Sequence, residues 1–334
     1  MARFSFRRAL TLALVLLAAC AMSSSGQRGR TRVLLDTDAN NEVDDQHAIA
    51  YMLFNGDAFD VAGITVNRTR GGGDVEQHAK EAERIVKLAG LERRFAVTRG
   101  ANGSFDDIVR HVSQSTFDGS AAVDLIIRRA HEASAQRLVL LPVGKLTNIA
   151  LALKKDPSIA SRVRIVWLGS NYPEPGEYNQ ENDESALSYI LDVDVPFEIA
   201  LVRWGKPSGT AAVQVTREEM RAKMPGKGPR IREAVVGRNG GRFTTFGDYS
   251  IDLFDHINLQ GNTSWRALFD MAAVAIVKNP AWAHAVRIPA PKLIGGKWVA
   301  RPNNPRRITL WENFDRDAIM KDFFASMDRP VLAR

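Results

Sequence analysis

Five carboxylates fall within ten residues in the run Asp36-Thr37-Asp38-Ala39-Asn40-Asn41-Glu42-Val43-Asp44-Asp45. Packed together in a folded chain, such acids repel one another and are driven towards their protonated forms. A hard divalent cation removes the conflict, and Ca2+, which takes about 6–8 oxygen ligands, suits an all-oxygen set. No histidine or cysteine stands nearby at the spacings that zinc sites use. The alternative is a solvated acidic loop in which Asp44 or Asp45 caps a following helix. Five unpaired acids fit poorly between a buried strand and a helix, which favours the metal.

Those acids need elements to hold them. Val33-Leu34-Leu35 predicts a buried strand, and Asp44 to Phe54 a helix with Ala48, Ile49, Met52 and Leu53 on one face. Further strands are expected at Val61–Val66, Phe95–Val97, Leu138–Val143, Val163–Leu168 and Phe197–Val202. Between them lie helical patterns: one after a capping Asp74, one over Ala121–Ala135 and one starting at Leu146. This alternation predicts an α/β fold with a mostly parallel central sheet and helices on both faces. Beyond about residue 205 the pattern weakens. Lys223–Gly241 reads as loop, Trp265–Val277 as helix, and the proline-containing tail as short strands and turns. Asp36 and Asp38, Asn67, Lys145 with Thr147 and Asn148, and Asn171 each come just after a predicted strand. Parallel sheets bind ligands beyond the carboxyl ends of their strands, so these groups are expected on one rim.

Asp36-Thr37-Asp38, a short loop and Asp44-Asp45 before an apolar helix resemble the signature of inosine–uridine-preferring nucleoside hydrolases. Gly144-Lys145-Leu146-Thr147-Asn148-Ile149-Ala150-Leu151-Ala152 is similar to a second conserved stretch of that family. Glu177-Tyr178-Asn179 with Asp183 resembles its ribose-binding segment, and Ala267-Leu268-Phe269-Asp270 falls where its last metal-binding aspartate stands. The resemblance runs in order from about residue 32 to 280. It implies a nucleoside hydrolase-like fold and a Ca2+ ion held by Asp38, Asp45, the backbone carbonyl of Thr147 and Asp270. It also implies Asp38 as general base, and Asp44, Asn67, Asn171, Glu177 and Asn179 around the ribose hydroxyls. The implied activity is hydrolysis of the N-glycosidic bond of a ribonucleoside or a related ribosyl compound, through an oxocarbenium-like state and a metal-activated water. The alternative is a catalytically degenerate lipoprotein that binds a nucleoside or ribose.

Two departures from the family pattern bear on mechanism. The loop from Asp38 to Asp44 is two residues longer than the usual Asp-Pro-Gly form, which leaves the role of Glu42 open. Phe269 stands where many members carry a histidine that protonates the leaving base. His256, just after Tyr249 and Asp252, is the candidate to replace it as a catalytic group; otherwise it is a surface loop histidine. His78, on a predicted helix, reads as structural. Gly71-Gly72-Gly73 lacks the lysine and hydroxyl residue of a phosphate-binding loop and reads as a turn. Of Trp167, Tyr172, Trp204 and Tyr249, all able to stack on a base, only Tyr172 and Tyr249 fall near the expected site loops.

The remaining signals concern export. Arg3, Arg7 and Arg8 precede an apolar stretch, Ala9–Ala19, too short for a membrane-spanning helix, which needs about 20 residues. Leu17-Ala18-Ala19-Cys20 resembles a lipobox, and Cys20 is the chain's one cysteine, so no intrachain disulfide is available. The expected organisation is a lipoprotein signal peptide over 1–19, a flexible Ser/Gly/Arg-rich tether over 20–31 and the α/β domain over 32–334. The expected location is outside the cytoplasm, anchored by lipid and facing the periplasm or the cell exterior. The formal net charge is +7, three units of it from the leader arginines, too mild an excess to imply nucleic acid. The expected partner is a small ribonucleoside, with membrane contact only through the N-terminal lipid; a homo-oligomer is left open.

Overall fold

Alternate residues of the central strands are apolar in both directions, and the fold uses both. Val33 and Leu35 enter one core while Leu34 enters another, and Val139 and Leu141 part in the same way from Leu138 and Leu140. A strand buried on both faces needs a layer of helices on each side, the condition met by parallel sheets with helical crossovers. The computed structural model describes residues 29–334. The leader, Cys20 and residues 20–28 of the tether lie outside the described residues. Thr31–Arg334 forms one compact unit, starting one residue before the expected boundary. Among the described residues no helix is long and apolar enough to cross a membrane.

The strands in chain order are β1 (Thr31–Thr37), β2 (Phe59–Val66), β3 (Val97–Arg99), β4 (Leu138–Pro142), β5 (Val163–Gly169), β6 (Phe197–Leu201), β7 (Gln214–Thr216), β8 (Val235–Gly237), β9 (Gly240–Phe243), β10 (Trp265–Ala267), β11 (His284–Pro289), β12 (Lys292–Ile294), β13 (Lys297–Val299) and β14 (Arg307–Glu312). Eight of them form one sheet in the order β11-β14-β6-β5-β4-β1-β2-β3. All its pairings are parallel except the edge pair β11–β14. From β1 the chain runs outward through β2 and β3, then returns to β4 on the other side of β1 and runs outward again. The strand order therefore reverses between β1 and β4, the kind of crevice where open α/β sheets place ligands.

The helices are α1 (Asp44–Leu53), α2 (Val75–Leu88), α3 (Phe105–Ile108), α4 (Ser120–His131), α5 (Thr147–Lys155), α6 (Tyr178–Asn182), α7 (Glu184–Asp192), α8 (Arg217–Lys223), α9 (Phe246–His256), α10 (Phe269–Lys278) and α11 (Arg316–Asp328). α1, α2 and α10 fill one core, and α4, α5 and α7 the other. α2 starts as expected: the Asp74 carboxylate accepts from the Glu76 and Gln77 amides at 2.9 and 3.2 Å. Every residue of α1 is buried. Its apolar spacing predicts a one-faced helix, but α1 is enclosed by α2, α10 and the sheet.

Three expectations for the second half need correction. Lys223–Gly241 is not all loop, since β8 pairs with β9 as a hairpin. Trp265–Ala267 is a strand paired with β7, and the helix begins only at Phe269. The tail contains α11, whose Ile319, Met320, Phe323 and Met327 recur at helical spacing and are buried.

Candidate active site

Each side chain of the acidic cluster owes its position to the end of an element. Asp38 comes directly after β1, and Asp44 and Asp45 occupy the first turn of α1. α1 packs along α10, and the two amino ends meet: Asp270, in the first turn of α10, donates its amide to the Asp44 carboxylate at 3.4 Å. Helix amino termini present unpaired N–H groups and a partial positive charge, which favours carboxylates there. Asp44, Asp45 and Asp270 each bring an oxygen within 4.8 Å of the others, and all three are buried. Burial first, then the neighbouring acids, pushes the Asp45 and Asp270 carboxyls well above the usual range, and the two are hydrogen-bonded to each other. Asp44 is pushed up to about 7 by burial and by Asp38. Four acids so enclosed cannot all ionise without compensation, whereas an oxygen-loving cation would let them. The cluster can therefore hold a metal ion.

These acids line the floor of a cavity of about 390 Å³, within the range of small-ligand sites. Its walls come from residues just beyond the carboxyl ends of the strands: Asp38 after β1, Val143 after β4, Asn171 after β5, Val202 and Trp204 after β6. Ser170 (φ 67°) and Arg203 (φ 43°) take left-handed backbone immediately before Asn171 and Trp204. Such conformations are uncommon for side-chain-bearing residues and cluster at functional sites.

Asp38 is 2% exposed; its Oδ2 accepts from the Thr69 hydroxyl at 2.5 Å and the Asn41 amide at 3.4 Å. Burial raises it to about 6. In the same cavity the Glu177 carboxylate accepts the amides of Ser170 and Gln180 at 2.9 and 3.0 Å. Burial still raises it above the ordinary carboxylate range. Asn179 donates to the carbonyls of Val143 (2.8 Å) and Leu168 (3.2 Å), which fixes its amide in the cavity wall. Asn171 is clamped between the Gly176 carbonyl and the Trp204 amide. Asp38, Asp44, Asp45, Asn171, Glu177, Asn179 and Asp270 are thus brought together from segments spread over more than 230 residues.

Three expected site residues lie elsewhere. Thr147 does not line the cavity: it opens α5 and its hydroxyl bonds Asp183, which caps α7 through the Ala186 amide at 3.0 Å. In this stretch Val143 lines the cavity, and its carbonyl accepts from Asn179 at 2.8 Å. Asn67 is not among the residues lining the cavity; its Nδ2 donates to Asp36 at 2.9 Å, and its Oδ1 is buried without a partner. His256 ends α9 with a half-exposed ring; its Nδ1 turns back on the Asp252 carbonyl at 2.8 Å, away from the cavity lining.

Asp36 also departs from the five-acid reading. It is wholly buried under the site, held by Thr65, Asn148 and Asn67 at 2.6, 2.8 and 2.9 Å. The Gly144–Ala152 stretch is accordingly a strut. Asn148 ties Asp36 to the Val66 carbonyl and the Ala101 amide. Gly144 must lack a side chain, since a Cβ there would come within 2.7 Å of Asp38 Oδ1. His78 is structural as expected: it is buried, and its Nδ1 accepts the Asn40 amide at 3.1 Å, pinning the long loop.

The aromatic expectations shift as well. Tyr249 is buried and donates to Glu81 at 2.6 Å, and Tyr172 packs edge-on against Trp298. Trp204 forms the cavity wall instead, stacked on Phe269 with ring centres 5.7 Å apart. Arg266, three residues before Phe269, also lines the cavity and forms an ion pair with Glu42 of the lengthened loop. Sequence reasoning missed Trp204, Arg266 and Val143. Val143 carried a usable signal, because it stands one residue after a buried strand, as Asp38 does.

The family model described as inosine-uridine preferring nucleoside hydrolase matches residues 33–321. An inosine-uridine preferring nucleoside hydrolase of Leishmania major is 23% identical over 276 residues, 77% of this chain and 82% of that protein. One of Crithidia fasciculata is 28% identical over 199 residues, 57% of this chain and 58% of that protein. A purine-preferring ribonucleoside hydrolase from Gardnerella vaginalis superposes with a TM-score of 0.67 at 20% identity, covering 89% of this chain and 98% of that one. An inosine-uridine preferring nucleoside hydrolase from Bacillus anthracis gives 0.64 at 15% identity, covering 90% and 99%. At these identities the structural likeness establishes the fold.

Proposed function

The chain belongs to the inosine–uridine preferring nucleoside hydrolase family, a family of hydrolases, and from that premise we propose that it cleaves the N-glycosidic bond of ribonucleosides with Ca2+ held at the acidic cluster. The observation that carries this reading is the meeting of Asp44, Asp45 and Asp270 at the floor of a cavity that also presents Asp38, Glu177 and Asn179. The donor set suits calcium: it is all oxygen, buried and rich in carboxylates, and no histidine or cysteine is among the described residues that line the cavity. Bound there, the ion would lower the pKa of the attacking water.

The chain's own residues supply the rest. Asp38 takes the proton of that water. Asn171, Glu177, Asn179 and Asp44 hold ribose hydroxyls, and the surrounding carboxylates stabilise the positive charge that develops on the ribose ring. Phe269 has no proton to give. A riboside whose leaving group departs readily, such as nitrophenyl riboside, is therefore expected to turn over faster than inosine. Assay of free ribose from a nucleoside panel, with and without chelator, tests the function. Phe269 also favours a second reading, a protein that binds a nucleoside without turnover. Ribose bound with no release from any substrate would select it.

We further propose that the mature chain begins at a lipidated Cys20, on the Leu17-Ala18-Ala19-Cys20 sequence after an apolar segment. The tether would then carry the enzyme outside the cytoplasm. Mass spectrometry of the membrane fraction should show a lipid-bearing N-terminal cysteine; a mature chain starting elsewhere without lipid would rule this out.

A further inference from the structure

The cavity is densely lined with acidic side chains. Seven of its lining residues are carboxylates, and Arg266 is the one lysine or arginine among the described residues lining it. Burying a guanidinium is costly unless its donors are used, and here they are used incompletely. Arg266 sits in β10 with a side chain 11% exposed. One terminal nitrogen pairs with Glu42, the other reaches the Asn258 carbonyl at 3.3 Å, and Nε is buried with no partner. A guanidinium has five N–H donors in a rigid plane. β10 runs through Leu268 directly into Phe269 and Asp270, so the connection that delivers the floor carboxylate also delivers Arg266 to the wall beside the Trp204–Phe269 stack.

N-glycoside cleavage needs something at the leaving group. The C1′–N bond breaks with its electron pair going to the base, and the water oxygen forms the new bond to C1′. One water proton passes to Asp38, and the released base takes up a proton from solvent. Phe269 supplies no proton, so negative charge develops on the departing base.

We propose that Arg266 is the residue that receives it: its guanidinium donates to the oxo and ring-nitrogen acceptors of the departing base and stabilises the charge it carries away. This rests on the N-ribosyl hydrolase reading above. Glu42 is then a positioning residue. Its carboxylate, brought within reach by the lengthened loop, holds the guanidinium plane against the cavity. The resulting selectivity is for oxo bases, which delocalise negative charge onto oxygen, over amino bases, whose exocyclic donors meet a donor. Uridine and cytidine test this difference: they share the ring and the 2-oxo group, and at the position-4 edge uridine presents an oxo group beside N3–H where cytidine presents an amino group beside a bare N3.

The experiment compares wild type, Arg266→Gln, Arg266→Lys and Glu42→Gln on uridine, cytidine and nitrophenyl riboside. Removing a donor aimed at developing charge lowers kcat by about 10²–10³-fold. Arg266→Gln should therefore lose that much on uridine, lose much less on nitrophenyl riboside, and lose the preference for uridine over cytidine. Arg266→Lys should recover part of it, and Glu42→Gln should keep the preference. A common factor of loss on all three substrates, or a Glu42→Gln variant indistinguishable from Arg266→Gln, would make Arg266 a strut and overturn the proposal. Calorimetric titration with free xanthine and adenine gives a readout without turnover. Arg266→Gln should weaken xanthine about tenfold, equivalent to about 1.4 kcal/mol, and leave adenine unchanged. Wild type that hydrolyses none of the ribosides would remove the hydrolase reading, and the xanthine titration would still decide whether Arg266 recognises the base.

Discussion

Asp38→Asn is expected to lower kcat by about 10²–10⁴-fold, the range typical of a lost general base. Ribose should still bind, measured as competitive inhibition. The reasoning is geometric. Asp38 is fixed by Thr69 and Asn41 through one oxygen, Oδ2, and lines the cavity together with Glu177. Asparagine has the same shape, and the Thr69 hydroxyl can act as donor or acceptor, so the side chain should stay in place. The capacity to take a proton is lost, and one carboxylate charge goes with it, so any weakening of metal binding adds to the fall in turnover. The cavity wall of Asn171, Glu177 and Asn179, proposed to hold ribose, is built from a different segment and should be undisturbed. Single-turnover kinetics with nitrophenyl riboside reads the chemical step, and calorimetry with ribose reads the binding. Turnover within a few-fold of wild type would take the base role from Asp38. Parallel loss of turnover and ribose affinity would make it a support for the cavity.

The central layer was legible because its strands are short apolar runs closed by polar residues, and a strand buried on both faces has few other readings. The rim was legible for a related reason: residues just beyond the carboxyl end of a parallel strand face the ligand. That rule correctly placed Asp38 and Asn171. Asn67 and Thr147 do not line the cavity, and each spends a side-chain donor on the scaffold, Asn67 on Asp36 and Thr147 on Asp183. Spacing cannot distinguish a side chain aimed at a ligand from one that satisfies a buried carboxylate. Arg266 was hidden differently. Its meaning lies in a pairing with Glu42, 224 positions earlier, and in a strand too short to show a period. Trp204 stands after a left-handed residue that no pattern announces. α11 carried a readable signal, since Asp315 caps it and its apolar residues recur at helical spacing, but the prolines before it favour turns and mask the helix.

Removing the metal should make folding stability fall as pH rises, and calcium should reverse the trend. In the metal-free chain burial raises Asp38 to about 6 and Asp44 to about 7, and Asp45 and Asp270 are raised well above their ordinary value. A carboxyl raised in the folded state binds more protons folded than unfolded. Stability is then greatest below the ordinary carboxylate range and declines as pH climbs through about 4 to 7 and beyond. A cation bound only by the folded form adds about 2.7 kcal/mol at a hundredfold excess over its Kd. Thermal melts of chelated protein should therefore shift downward from about pH 5 to about pH 8, with the gap closed by calcium and turnover lost in chelator. Asp270→Asn separates this cause from general acid sensitivity. It removes one of three crowded charges while keeping the packing of α10, so the metal-free variant should melt higher than wild type at about pH 8 and respond little to calcium. A variant that melts lower in chelator, yet still gains the wild-type shift from calcium, would show that the acids at the two helix ends are held by something other than a shared ion.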